Sequence, residues 1–302
     1  MTKRVAIAGS SGLIGDALRR LLLERGDEVI RLVRGRPTGS DEWPWAPDTG
    51  DLPLEALEGV DAVVNLAGAG IGDRRWDADR KRLIERSRVD STRTIAQALV
   101  RLSERAGRRV RFVNGSAVGY YGDRREEVLT EESRPGTDFL AGVVQRWEAA
   151  AMEAGDAGVP VTVVRTGLVM APSGGAFAPL LLLTRFGLGG PLGTGSQWWP
   201  WITLADEVRA IAYLIDTPEV TGPVNVVAPE QHRQREIAAE LGRQLSRPAL
   251  LPAPRLALRL AVGEFGDRIL DSQRVVPALL TQHGFTFTHP DLRSAVRWLS
   301  AR

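Results

Sequence analysis

Over the first half of the chain, short β-branched runs alternate with longer stretches that carry apolar residues at helical spacing. Residues 5–8 (Val-Ala-Ile-Ala) run into a glycine turn, residues 13–25 follow with helical periodicity, and residues 28–33 form a second apolar run. The same rhythm predicts buried strands over residues 61–66, 110–116 and 161–166, with helices over 77–105 and 138–154. Strands separated by helices pair in parallel, because a parallel neighbour needs a crossover long enough to hold a helix. Residues 35–59 break the rhythm with Pro, Gly, Asp and Trp, and read as a loop holding at most a short edge strand.

After Thr166 the pattern changes. Gly-, Pro- and Trp-rich loops at 171–175 and 188–201 interrupt short helical stretches. A helix over 204–216 and a strand over 224–227 then bring the chain back to the main sheet. Residues 233–302 read as mostly helical, punctuated by Pro248, Pro252, Pro254, Pro277 and Pro290. There is no internal repeat and no low-complexity tract.

Composition mainly excludes. Among 302 residues, 39 basic and 37 acidic side chains leave a net charge of +2, which implies no nucleic-acid partner. Arginines between Arg74 and Arg88 are interleaved with Asp77, Asp79 and Glu85, as on a solvated helix face. The chain has no cysteine, and His232, His283 and His289 do not make a ligand spacing, so no metal site is expected. The start of the chain is too quickly broken by Gly9 to read as a signal peptide, and no apolar run reaches the ~18 residues of a membrane span. A cytoplasmic protein without membrane contacts is the expectation.

The chemistry begins at Gly9-Ser10-Ser11-Gly12-Leu13-Ile14-Gly15, between the first strand and the first helix. Glycines there permit a tight turn and close approach of a pyrophosphate, and the helix N-terminus supplies oriented N–H donors. At the tip of the second strand, where an acid would hold the ribose hydroxyls of NAD, stand Arg34 and Arg36 instead. A guanidinium forks onto a 2'-phosphate whereas a carboxylate repels it, so the expected cofactor is NADP(H). Asn65-Leu66-Ala67-Gly68, at the end of a third strand, offers small residues beside which a cofactor ribose can pass. These clues define the fold expectation: an α/β, Rossmann-type doubly wound parallel sheet with a smaller, mostly helical substrate lobe. Residues 1–168, with 204–228 returning, make the NADP-binding domain, and residues 169–203 and 229–302 make the lobe and the C-terminal helical segment.

The residues resemble the atypical extended short-chain dehydrogenase/reductases, specifically the epimerase family of the SDR39U1 type. The likeness runs over nearly the whole chain: the glycine turn, Asn65 to Gly68, Arg75-Trp76, Ser87-Arg88, Ser116 to Gly122, Arg165-Thr166-Gly167, Trp198 to Ile202 and Gln273-Arg274-Val275. The resemblance implies NADP contacts at Arg34, Leu66, Ala67 and Arg88.

Ordinary members of the wider family move protons with a Tyr-x-x-x-Lys pair, and no such pair exists among Tyr120, Tyr121, Tyr213, Lys3 and Lys81. Registering the helix on Trp147-Glu148 puts Leu140 and Val144 at those two places, and Ala117 at the usual serine. Tyr121, with Ser116 second, is therefore the candidate proton-transfer group, unless Tyr120 and Tyr121 merely line or pack the pocket. Tyr120, Trp198, Trp199 and Trp201 are candidate substrate contacts, the alternative for the tryptophans being packing within the lobe. Two functions remain open: an NADP(H)-dependent oxidoreductase or epimerase acting on a small molecule, or a redox sensor that holds NADP(H) without turnover. The oligomeric state, monomer or homodimer, is left open.

Overall fold

A computed structural model describes residues 2–301. Seven strands form one parallel sheet: β1 (Arg4–Ala8), β2 (Glu28–Val33), β3 (Glu42–Pro44), β4 (Ala62–Asn65), β5 (Arg111–Ala117), β6 (Val161–Thr166) and β7 (Gly222–Val226). Their spatial order is β7-β6-β5-β4-β1-β2-β3, so the chain winds outward from β1 in one direction and returns past it in the other. The switch lies between β1 and β4, whose register pairs Ala8 with Asn65 at the carboxyl edge.

Helices cover both faces because the strands are apolar on both. Val5 and Ile7 point to the side covered by α1 (Leu13–Glu24), and Ala6 and Ala8 to the side covered by α2 (Ala78–Ala106) and α3 (Phe139–Asp156). Asp77 and Asp138 cap α2 and α3 by accepting backbone N–H bonds from Arg80 and from Leu140 and Ala141.

Beyond β6 the chain forms α4 (Ala178–Arg185), α5 (Leu204–Asp216), α6 (Gln234–Leu245) and α7 (Arg255–Val262). Helix α5, capped by Thr203, packs beside α1 against the sheet. A separate core of Phe177, Leu181, Trp199, Trp201, Ile237 and Val296 gathers α4, α6 and the helix Leu292–Ser300. Short strand pairs tie distant segments together: Trp198–Trp199 with His232–Arg233, Trp201–Thr203 with Leu168–Met170, and Val128–Leu129 with Arg274–Val275. Runs of two or three residues carry too little periodicity to be read from sequence. The loop expected at 35–59 contains β3 and a 3-10 turn at Leu54–Leu57.

Both outer strands of the sheet contain a proline, Pro44 in β3 and Pro223 in β7. On β7 the N–H of Asn225 donates to Oε1 of the buried Glu131 (3.1 Å). No helix among the described residues is long and apolar enough to cross a membrane.

Candidate dinucleotide site and the adjoining polar network

The three glycines of the first turn are small for different reasons. Gly9 has φ +81°, and a Cβ there would lie 2.7 Å from the backbone carbon of Leu66. At Gly15 an added Cβ would stand 2.2 Å from the carbonyl oxygen of Gly9, which is how closely α1 approaches the turn. Gly12 is unlike both. Its φ of −75° suits any residue, and a Cβ there would meet only the Gly9 oxygen, at 3.3 Å. A side chain at Gly12 is therefore less obstructed than at Gly9 or Gly15, though it would still press on that oxygen.

Helix α1 begins at that point and, unlike α2, α3 and α5, has no side chain capping it. An uncapped N-terminus presents its first N–H groups and the positive end of the helix dipole to whatever lies beyond, an arrangement that suits a phosphate. Ser10 is buried in the turn, Ser11 is exposed, and Leu13 and Ile14 are half-buried at the start of the helix.

The wall opposite is the turn after β4. Asn65 is buried and donates from Nδ2 to Thr92 Oγ1 (2.9 Å) and Asn114 Oδ1 (2.8 Å), while its Oδ1 accepts from the N–H of Ala67 (3.2 Å). Those bonds hold Leu66, Ala67 and Gly68 against Gly9. Arg88 rises from α2 behind Gly68 and donates to the carbonyls of Ala69 (2.9 Å) and Ile84 (3.0 Å), with Trp147 5.3 Å from its guanidinium. Among the described residues no carboxylate pairs with Arg88, and its enclosure, reinforced by the neighbouring charge of Arg80, lowers its pKa to about 10. Arg34 stands exposed at the tip of β2 with no ion-pair partner among the described residues, Asp41 and Glu42 being held by Arg31. Arg34, Arg88, the glycine turn and residues 66–68 thus share the carboxyl edge of the sheet.

The predicted proton-transfer groups lie at the same edge but are closed in. Ser116 is buried and donates to Glu148 Oε1 (2.5 Å). Glu148 also receives Arg165 through Nε (2.8 Å) and Nη2 (2.9 Å). Arg165 reaches on to the Tyr121 hydroxyl (3.0 Å), which itself lies 2.6 Å from Asn225 Oδ1 and 3.0 Å from the Thr130 carbonyl. Tyr121 is fully buried, and desolvation pushes its pKa up to about 12 despite Arg165 beside it. Tyr121 and Ser116, expected as proton-transfer groups, belong to a satisfied internal network in which both hydroxyls are engaged by protein partners, which favours the packing alternative for Tyr121. Tyr120 differs. It is half-buried, its hydroxyl has no hydrogen-bond partner among the described residues, and its ring lies 3.5 Å from the Arg165 guanidinium.

The tryptophans do not form one wall. Alternation along the strand sends Trp199 and Trp201 into the third core and Trp198 the other way. Trp198 is sandwiched between Arg233 (4.5 Å) and Arg274 (4.7 Å) and donates to Glu126 (2.9 Å). For Trp199 and Trp201 the packing alternative holds.

Three residues of the network were absent from the sequence expectations as functional groups: Glu148, Arg165 and Asn225. Outside that network, Glu207 is fully buried on α5, where Thr166 Oγ1 donates to Oε1 (2.8 Å) and Oε2 has no partner among the described residues. Burial pushes its pKa up to about 8. A carboxylate in an apolar helical stretch such as Leu204 to Asp216 is the only sequence signal for it. Among the described residues, no group of three His, Asp or Glu side chains could hold a metal ion.

Comparison with known proteins joins these observations. Residues 5–228 match the NAD dependent epimerase/dehydratase family, and residues 253–299 match a domain of unknown function, DUF1731. An epimerase family protein of Mycobacterium leprae is 40% identical over 299 residues, which cover 99% of this chain and 96% of that one. The crystal structure of human epimerase family protein SDR39U1 with NADPH superposes with a TM-score of 0.90 at 32% identity, covering 99% of each chain. A nucleoside-diphosphate sugar epimerase from Corynebacterium glutamicum, 34% identical, gives a TM-score of 0.80 over 98% of this chain and 57% of that one.

Proposed function

Since the chain belongs to the NAD dependent epimerase/dehydratase family, we propose that it is a cytoplasmic NADP(H)-dependent oxidoreductase or epimerase of the extended short-chain type, acting on a small molecule without a Tyr-x-x-x-Lys pair. The observation that carries this reading is the turn at Gly12, where an uncapped helix N-terminus follows a glycine whose added Cβ would press on the Gly9 carbonyl at 3.3 Å. The human relative holding NADPH supports the same choice of cofactor. The backbone of residues 9–15 would hold the pyrophosphate, Leu66, Ala67 and Gly68 would flank the ribose, and Arg34 and Arg88 would meet anionic oxygens. Hydride transfer is the chemistry that a bound nicotinamide supplies.

Proton transfer then falls to Tyr120. Its hydroxyl has no hydrogen-bond partner among the described residues, unlike those of Ser116 and Tyr121, and the Arg165 guanidinium lies 3.5 Å from its ring. A second reading, a redox sensor without turnover, draws on the closure of Ser116 and Tyr121.

Titrating the intrinsic tryptophan signal tests the cofactor assignment. NADPH is expected to bind more than about tenfold tighter than NADH, because one charge-assisted fork contributes about 1.5 to 3 kcal/mol. Equal affinities, or a ratio unmoved by Arg34→Glu, would remove Arg34 from the site. In NADPH consumption against a panel of carbonyl compounds, Tyr120→Phe should abolish turnover while Ser116→Ala leaves it. Absence of turnover in the wild type with every substrate would favour the sensor.

A further inference from the structure

Glu207 lies in the first turn of α5, fully buried, with Oε1 2.8 Å from Thr166 Oγ1 and Oε2 without a hydrogen-bond partner among the described residues. None of the charged side chains on the elements around it serves as its counter-ion. On α5 itself Asp206 pairs with Arg209, and on α1 Asp16 pairs with Arg19 and Arg20. Arg165 of β6 turns to the other face of the sheet and Glu148, while Arg111 of β5 and Lys3 donate to carbonyls at the far end of α5. The His289 ring lies against Trp298. A carboxyl buried without a cation keeps its proton more tightly, and near neutral pH, below its pKa of about 8, Glu207 is an acid rather than an anion.

Thr166 joins this acid to the cleft. It ends β6 at the carboxyl edge, half-buried, and pairs in register with Ala117, which ends β5 and leads into the turn bearing Tyr120. Val113 and Val164, two residues back on each strand or nearly so, pack in the core that α1 and α5 share, so Ala117 and Thr166 both face that side. The chain leaving Thr166 runs past the start of α1, where Gly175 sits between Leu13 and the Val169 carbonyl. A dinucleotide lies along the carboxyl edge across the switch point. With Arg34 at the tip of β2 on one side of β1, its nicotinamide half extends the other way, over the ends of β4, β5 and β6.

We propose that Thr166 fixes the nicotinamide by donating its hydroxyl proton to the carboxamide oxygen, and that Glu207 is a positioning residue that sets the direction of that hydroxyl. The proposal rests on the NADP(H)-dependent reading above. As an acid, Glu207 carries its proton on Oε1, where Thr166 Oγ1 accepts it; on Oε2 the proton would be buried without an acceptor. The Thr166 proton is then free for the cleft, the Val164 carbonyl at 3.5 Å being a weak competitor. As a carboxylate, Glu207 draws the Thr166 proton inward, and the hydroxyl offers the cleft only lone pairs. Affinity for the nicotinamide half therefore falls as Glu207 ionises.

The test is fluorescence titration of the full chain with NADPH and, separately, with 2',5'-ADP, which has the 2'-phosphate but no nicotinamide. Wild type, Thr166→Val, Thr166→Ser and Glu207→Gln are compared at about pH 6.5 and about pH 9.5, on either side of the Glu207 transition, with circular dichroism of each. The quantity read is the ratio of the two affinities, in which ionisation of the shared phosphate cancels. At the lower pH, Thr166→Val should weaken NADPH about fivefold and leave 2',5'-ADP unchanged, and Thr166→Ser should bind as wild type does. The wild-type ratio should fall by a similar factor at the higher pH, whereas Glu207→Gln, whose amide cannot ionise, should hold the same ratio at both. A Thr166→Val variant that binds NADPH normally, or weakens both ligands alike, overturns the proposal and leaves the cofactor reading intact. So does a wild-type ratio that is constant with pH, or one that drifts equally in Glu207→Gln; this comparison decides alone if Thr166→Val does not fold. Failure of the wild type to bind either ligand overturns the cofactor reading and the proposal with it.

Discussion

At the carboxyl edge of the sheet, two polar regions are built on opposite plans. Around Gly12 the helix end is uncapped, Arg34 has no counter-ion, and Arg88 donates only to carbonyl oxygens. Around Arg165 nearly every donor is used: Glu148, Tyr121, Ser116 and Asn225 satisfy one another in the interior. Unspent hydrogen-bonding capacity at an accessible edge points to something that arrives from outside, whereas buried capacity fully spent points to structure. The difference separates a candidate binding site from a strut, although both occupy positions associated with chemistry in this fold.

The largest effect should come from breaking the strut. Arg165→Met leaves Glu148 buried beside Ser116 without its cation, which should cost about 3 to 5 kcal/mol in chemical denaturation. Adding Glu148→Leu should recover much of that loss, since an apolar pair of similar volume leaves no orphaned charge. A single variant that loses less than about 1 kcal/mol would mean that the network is incidental.

Gly12→Val probes the other region. NADPH affinity should fall at least about 100-fold, or about 2.7 kcal/mol, because the branched side chain would stand before the uncapped helix end. The melting temperature should fall only slightly, since φ at this position is ordinary and the Gly9 carbonyl, 3.3 Å from an added Cβ, needs to give by only a few tenths of an ångström. Retained binding would place the cofactor elsewhere, and a collapsed melting temperature would make Gly12 a structural glycine like Gly9.

The smallest effect concerns Glu207, which stands behind Thr166 on the helix α5 side of the sheet. Its pKa rises from 4.5 to about 8 on folding, so the native state keeps a proton that the unfolded chain releases. The sign is that stability is highest below 4.5 and is lost as pH climbs through about 8. Glu207→Gln should therefore melt at nearly the same temperature as wild type at low pH, and be the more stable of the two at pH above that range. An advantage independent of pH would assign the effect to packing.

The binding region was legible in sequence because its parts are local. Gly9 to Gly15 lie within one turn and one helix end, and Arg34 and Asn65 each close a strand whose apolar run is distinct. The strut was not legible, since its members come from separate elements: Ser116 and Glu148 are 32 residues apart, and Tyr121 and Asn225 are 104 apart. Tyr121 looked reactive in the sequence because a tyrosine without a lysine leaves its surroundings unspecified; burial and the Asn225 bond specify them. The Trp198 to Trp201 run misled for a related reason. Whether an indole faces a cleft or a core depends on strand alternation, and a strand of two residues gives no period to read.

The outer edge of β7 has a bearing on how this protein fails. An exposed edge strand ordinarily offers a row of free N–H groups to which a second chain can add, the first step of sheet-mediated aggregation. Of the outward positions on β7, Pro223 has no N–H to give and that of Asn225 is taken by Glu131. That edge cannot serve as a template, so molecules crowded together during synthesis or heating are denied strand addition at β7.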